Sequence, residues 1–178
     1  MNRVFVPLVA ILSFIAENLF VTLIPYDIAL NNWIFVPRFI FLFLIFITIF
    51  YDKKTGILYA FIFGLLQDVI YAEIFGIYLF WYPFTIYLVY LLMKVLQSNI
   101  FMVSIVCIIS VSFLEFGIYE IYMLIRETTM NVKQFASLRL IPTVILNVVV
   151  FLLLFYPVKK RLEYYNKIRR DEEGMFQS

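Results

Sequence analysis

The sequence has no histidine and only one cysteine, Cys107. The lack of histidine excludes Ser-His-Asp and Cys-His nucleophilic sites, as well as metal sites with histidine ligands. A single cysteine excludes an intrachain disulfide and a Cys-x-x-Cys metal site. Charged residues are also scarce, at 15% of the 178 residues, and they are too few to cover the surface of a soluble fold of this size. We therefore do not expect a soluble enzyme.

Apolar residues dominate the rest of the chain. Hydrophobic residues make up 65% of the sequence and aromatic residues 20%, with 21 phenylalanines. An average globular domain is about half apolar, and a disordered chain is much more polar than that. The composition therefore predicts an integral membrane protein.

Six apolar stretches are candidates for membrane-spanning helices, because a helix needs about 20 residues to cross ~30 Å of hydrocarbon. The predicted spans are residues 4–24, 36–51, 56–71, 74–93, 99–125 and 140–158. No alternating pattern typical of barrel strands is present. We predict an all-α integral membrane protein, with a six-helix transmembrane bundle in residues 1–158 and a tail in residues 159–178. The first span is long and carries Glu17, so we interpret it as a retained helix and not as a signal peptide.

The placement of basic residues predicts the orientation of the bundle. With the N-terminus in the cytoplasm, the inner segments hold ten Lys or Arg residues and the outer segments hold four. The positive-inside rule then predicts that both termini are cytoplasmic. Most of the inner charge lies in the basic tail, at Lys159, Lys160, Arg161, Lys167, Arg169 and Arg170. This tail is open to three interpretations: a topological anchor, a surface helix that attracts anionic lipid, or a docking site for a cytoplasmic partner.

Several polar residues interrupt the predicted spans, and each needs a reason, because a charge at mid-bilayer costs about 3 kcal/mol. Three interpretations stay open for this set. The residues pair with one another and hold helices together, they line an outward-facing pocket for a small solute, or they meet a polar group on a partner's transmembrane helix. The candidates are Glu17, Asn18, Arg38, Glu115, Glu120 and Asn147, together with Asp68. Arg126 and Arg139 are expected at a similar depth.

A short motif joins the third and fourth predicted spans. It reads Gly64-Leu65-Leu66-Gln67-Asp68 and is followed by Gly76, eight residues after the aspartate. Gly64 lies one helical turn before Asp68, so both are expected on the same helix face. A glycine at that position permits the close approach of another helix, and Gly76 is expected in a tight turn.

This motif, with the chain length, the hydrophobicity and the basic C-terminus, resembles the rod shape-determining protein MreD family. The resemblance implies a non-enzymatic component of the bacterial cell-elongation complex in the cytoplasmic membrane, without catalytic residues, metal or cofactor. Its implied partners are MreC, a membrane protein with one span, and the wider complex of MreB filaments, the glycosyltransferase RodA and a penicillin-binding transpeptidase. Membrane lipid is a further expected partner, and nucleic acid is not. Gly64, Gln67, Asp68 and Gly76 are the motif residues, with a role that we expect to be structural.

Two other classes of function, a transporter subunit and an intramembrane enzyme, are alternatives to the scaffold. The MreD family is also thought to resemble the substrate-binding subunits of energy-coupling-factor transporters, which have six helices, and this gives the alternative function. Those subunits typically carry an AxxxA motif in the first helix, and here Phe14 stands where the second alanine would follow Ala10. An intramembrane enzyme without histidine would need a pair of acids, and the acids form no recognisable motif. The sequence therefore favours the scaffold, then the transporter subunit, then the enzyme.

Overall fold

The computed structural model describes residues 4–23, 33–71 and 74–175, and helix is the only regular structure in these ranges. Five helices come first: α1 (Phe5–Leu23), α2 (Phe39–Phe50), α3 (Lys53–Tyr71), α4 (Ile77–Val95) and α5 (Ile100–Leu124). The sixth, α6, starts as Val132–Gln134, passes through a π-helical stretch at Phe135–Leu140 and continues as an α-helix over Ile141–Met175. The prediction of an all-helical chain with six helices is confirmed.

Four of these helices are long and apolar enough to cross a membrane. They are α1, α4, α5 and the part of α6 that covers Val132–Asp171. Helix α2 is apolar but has only 12 residues, which corresponds to about 18 Å. Helix α3 has 19 residues and carries two lysines in its first turn and Gln67 and Asp68 in its last.

Helix α2 lies at the centre of the bundle. Ten of its twelve residues are buried, and it packs against α1, α3, α4 and α6. Its phenylalanines contact neighbouring rings: Phe46 stacks on Phe151 with centroids 5.0 Å apart, and Phe41 lies tilted against Tyr82 at 5.3 Å. A helix that is apolar on all sides suits either lipid or the protein interior, and here other helices enclose it. The most hydrophobic segment of the sequence is therefore the protein core, surrounded by other helices.

The outer surface of the bundle is apolar as well. Large hydrophobic side chains stay exposed along α1 and α6, among them Leu8, Ile11, Leu12, Ile15, Leu19, Ile145, Val149, Leu152 and Leu153. Such a continuous apolar exterior is unusual for a protein in water and suits contact with lipid. Helix α1 buries little of itself and turns Val6, Ala10 and Glu17 inward.

The second half of α6 packs against the end of the bundle where α1 begins. Leu162 is fully buried, the rings of Tyr165 and Phe5 lie 4.8 Å apart, and Arg169 reaches Asp52 in the α2–α3 turn at 3.5 Å. Partial burial favours the neutral carboxyl of Asp52, but hydrogen bonds from Thr55 and Arg169 outweigh it and lower the pKa of Asp52. This half of the helix is therefore fastened to the bundle along one face.

The helix bounds differ from the predicted spans by a few residues at most ends, and two of the differences have a clear physical reason. Residues 36–38 were predicted as helix but lie before α2, and hydrogen bonds to α6 hold them there. The last predicted span ends at residue 158, whereas α6 continues to Met175 without a break. Between residues 158 and 173 the sequence has no proline or glycine to end a helix. The positions of the membrane boundaries along these helices remain predictions.

Candidate functional site: a buried polar network

A buried ion pair joins α2, α5 and α6 at the end of the bundle opposite the start of α1. The Arg38 guanidinium lies 2.6 Å from Glu115 Oε1, and the two side chains are only 3% and 0% exposed. Arg139 of α6 donates from Nε to the other carboxylate oxygen of Glu115 at 3.2 Å. The face of the Tyr78 ring lies 5.1 Å from the Arg38 guanidinium. These contacts neutralise charges that would each cost about 3 kcal/mol if left alone in hydrocarbon.

The non-helical chain leading into α2 is held by two side chains of α6. The amide of Arg38 donates to Asn147 Oδ1 at 2.8 Å, and Asn147 Nδ2 donates to the carbonyl of Val36 at 2.9 Å. Thr143 Oγ1 accepts from the Val36 amide at 3.2 Å. The amide of Ile34 donates to the carbonyl of Leu138 at 2.7 Å, within the π-helical stretch. Backbone that is not helical is tolerated at membrane depth only where other protein groups satisfy it, and Thr143 and Asn147 do so here.

Glu17 connects three helices. Its Oε1 accepts from Gln67 Nε2 of α3 at 2.7 Å, and its Oε2 accepts from the Ile40 amide at 3.1 Å. Ile40 is in the first turn of α2, where backbone amides have no partner within their own helix. The Glu17 carboxylate therefore serves as a cap for α2 and also suits the positive end of that helix's dipole.

Asp68 caps the next helix in the same way. Its carboxylate accepts three backbone hydrogen bonds from the start of α4: Gly76 at 3.1 Å, Tyr78 at 2.8 Å and Leu79 at 2.8 Å. Gly76 is the residue just before α4 and has a φ of 107°, which glycine adopts at little cost. The eight-residue spacing thus lets the Asp68 carboxylate, near the end of α3, bind the backbone amides at the start of α4. We call this connection the α3–α4 corner.

Gly64 supports the same corner by bringing the two helices into contact. A β-carbon at this position would lie 2.6 Å from the carbonyl oxygen of Tyr78 and 3.1 Å from the Cα of Leu79. Both neighbours are backbone atoms in the capped first turn of α4, so neither can move aside easily. Three of the four motif residues, Gly64, Asp68 and Gly76, therefore stabilise the same connection between α3 and α4.

The structure brings together most of the polar residues singled out in the sequence, but not all. Asn18 only donates to the Phe14 carbonyl of its own helix, at 2.6 Å. Glu120 is exposed on α5, outside the network. Sequence reasoning missed Thr143 and Tyr78. Thr143 lies one turn before Asn147, a spacing that could have revealed it, whereas nothing marks Tyr78.

Every oxygen of the three network carboxylates has a hydrogen-bond donor. Glu17 has Gln67 and Ile40, Asp68 has the α4 amides, and Glu115 has Arg38 and Arg139. Among the described residues, no three acidic or cysteine side chains come together in a way that could hold a metal ion. Such an arrangement fixes helices relative to one another.

The fold and the network define a multi-pass helical membrane protein whose helices are joined by buried, mutually satisfied polar groups. The sequence model of the rod shape-determining protein MreD family matches residues 2–165. The Rod shape-determining protein MreD of Bacillus subtilis (strain 168) is 35% identical over 172 residues, which cover 97% of this chain and 100% of that protein. The chain therefore belongs to the MreD family of rod shape-determining proteins. No solved structure matches it, so the resemblance to energy-coupling-factor subunits stays a prediction.

Proposed function

We propose that this protein is a non-enzymatic membrane component of the bacterial cell-elongation complex, which binds MreC and helps to organise lateral peptidoglycan synthesis. The observation that carries the proposal is the family match through residues 2–165 and along nearly the whole of the Bacillus subtilis relative. The network carboxylates support the non-enzymatic part, because all their oxygens already accept hydrogen bonds that join helices. MreB, RodA and a penicillin-binding transpeptidase complete the proposed complex.

The exposed apolar faces give this proposal a physical basis. MreC, as a membrane protein with one span, would offer a helix, and helices pack in lipid through close apolar contact. Helix α1 is apolar and largely exposed on its outer side. A face of this kind suits either lipid or a partner helix.

The binding proposal is tested by co-expressing the tagged chain with MreC from the same organism and purifying it from membranes. We expect MreC to be retained in a near-stoichiometric amount, as measured by quantitative mass spectrometry. An unrelated multi-pass protein with the same tag is the control and should retain none. Equal amounts of MreC on both proteins would contradict the proposal. A bound small vitamin instead of MreC would favour the transporter alternative.

We also propose that both termini lie in the cytoplasm. Phe5 and Tyr165 are in contact, so the two ends of the described chain lie at the same end of the bundle. Lys53, which donates to Tyr90 Oη near the end of α4, lies at that end too. Arg38 and Arg139 both pair with Glu115, so neither counts as a loop charge, and among the described residues nine basic residues at one end then compare with two, Arg126 and Lys133, at the other.

Single cysteines test this orientation directly. Cys107 is buried, so it should not react in intact cells. We expect Gln97→Cys, in the α4–α5 loop, to be protected from a membrane-impermeant maleimide, because this loop would face the cytoplasm. Thr129→Cys, between α5 and α6, should be labelled. Both substituted residues are exposed, so the reverse labelling pattern would mean that the bundle is inverted.

A further inference from the structure

One face of α6 carries a concave surface that the proposed function does not use. A cavity of about 500 Å³ is lined by Tyr156, Pro157, Lys160, Arg161 and Tyr164. All five residues belong to one stretch of helix, and they combine two cations with two phenolic hydroxyls. This surface is open, and it lies outside the buried network.

The two cations in this cavity have no acidic partner in the described part of the chain. Their neighbours on the same helix behave differently. Lys159 lies 3.9 Å from Glu163 and over the rings of Phe50 and Phe155, and Arg169 pairs with Asp52. Lys160 and Arg161 instead point outward and are exposed. The positive charge of the cavity is therefore available to an external anion.

The predicted end of the last span at residue 158 would place this charge at a membrane surface. Leu152, Leu153 and Leu154 are exposed apolar residues directly before the cavity. One face of α6 carries four residues at helical spacing, Leu153, Pro157, Lys160 and Tyr164. The apolar part of this face therefore adjoins the two cations. Lys160 and Arg161 follow Pro157 by three and four residues, or about 5–6 Å, which is comparable to the thickness of the headgroup layer. Lys167 and Arg170 lie some 10 Å farther along the helix axis.

We propose that this cavity binds the headgroup of an anionic phospholipid. Lys160 and Arg161 hold the phosphate, the hydroxyls of Tyr156 and Tyr164 donate hydrogen bonds, and the acyl chains lie along Leu153. Tyrosine at a membrane interface suits this arrangement, since its ring is apolar and its hydroxyl is polar. The proposal does not depend on partner binding or on the orientation of the bundle.

Native mass spectrometry of the purified full chain tests the site, with phosphatidylglycerol or phosphatidylcholine of the same acyl chains as the probe. We expect selective retention of phosphatidylglycerol. Lys160→Gln with Arg161→Gln should weaken it about 30-fold, because each cation near the surface contributes a factor of about five. The matched control is Lys167→Gln with Arg170→Gln, which removes the same charge from exposed positions on the same helix and should change binding by less than about threefold.

One further double variant and a competition experiment with inorganic phosphate distinguish the possible outcomes. Exchange of the cations, Lys160→Arg with Arg161→Lys, should keep the binding, which shows that charge and not local folding is being measured. Equal loss in the control pair would mean diffuse attraction along the helix and would overturn the site. Equal retention of the two lipids, or full displacement of lipid by millimolar inorganic phosphate, would overturn the headgroup assignment.

Discussion

Replacement of Glu115 by leucine is expected to lower the free energy of unfolding by about 3–5 kcal/mol, because it leaves the Arg38 guanidinium buried without its acid. Arg38 is only 3% exposed and cannot reach water without a rearrangement of α2, whereas Arg139 is 30% exposed and can turn outward. The measurement is equilibrium unfolding in mixed detergent micelles, followed by the fluorescence of Trp33 and Trp81.

A double variant distinguishes the loss of the Arg38–Glu115 ion pair from the change in side-chain volume at position 115. Arg38→Met with Glu115→Leu removes both charges and should recover most of the stability, since a buried pair replaced by apolar residues is often neutral. The control is Glu120→Leu on the same helix, which is exposed and outside the network, and which should cost little. If Glu115→Leu unfolds at the same detergent fraction as Glu120→Leu, the ion pair does not stabilise the bundle.

Replacement of Asp68 by leucine is expected to cost about 3 kcal/mol. Three backbone amides at the start of α4 lose their acceptor at once, and hydrogen bonds to a charged group contribute about 1.5–3 kcal/mol each, although not additively. The same unfolding experiment measures the effect. Asp68→Asn keeps one carbonyl acceptor and should cost roughly half as much.

The Asp68→Leu variant also tests the proposed function. If the α3–α4 corner shapes the surface that binds MreC, Asp68→Leu should retain less MreC in the co-purification. A folded Asp68→Leu protein that unfolds like wild type would show that the carboxylate does not hold the corner. A folded variant that still captures MreC as well as wild type would separate the motif from partner binding.

The sequence predicted the class and the number of helices because both depend on composition and length alone. It did not predict which helix is central. The run at residues 39–50 was interpreted as one more membrane span, and hydropathy cannot distinguish a helix surrounded by lipid from one surrounded by protein, since both are apolar throughout. Only the packing of α1, α3, α4 and α6 around it shows the difference.

The sequence predicted which residues belong to the polar network, but it did not predict which of them bind one another. The cost of a charge in hydrocarbon singles out Glu17, Arg38 and Glu115 from the sequence. Their partners depend on helix positions that no local pattern encodes, and for Glu17 one partner is a backbone amide, at Ile40. The non-helical residues before α2 were missed for a similar reason, because the groups that hold them are more than 100 positions away.

The long separation between the partners of the ion pair has a consequence for biosynthesis. Arg38 and Glu115 are 77 positions apart, so at about 5–20 residues per second the ribosome adds the glutamate roughly 4–15 s after the arginine. During that interval the newly made arginine lacks the acid with which it forms its ion pair in the folded bundle. The central helix can therefore pack against α1, α3 and α4 first, but it completes its ion pair only after the fifth helix has been translated.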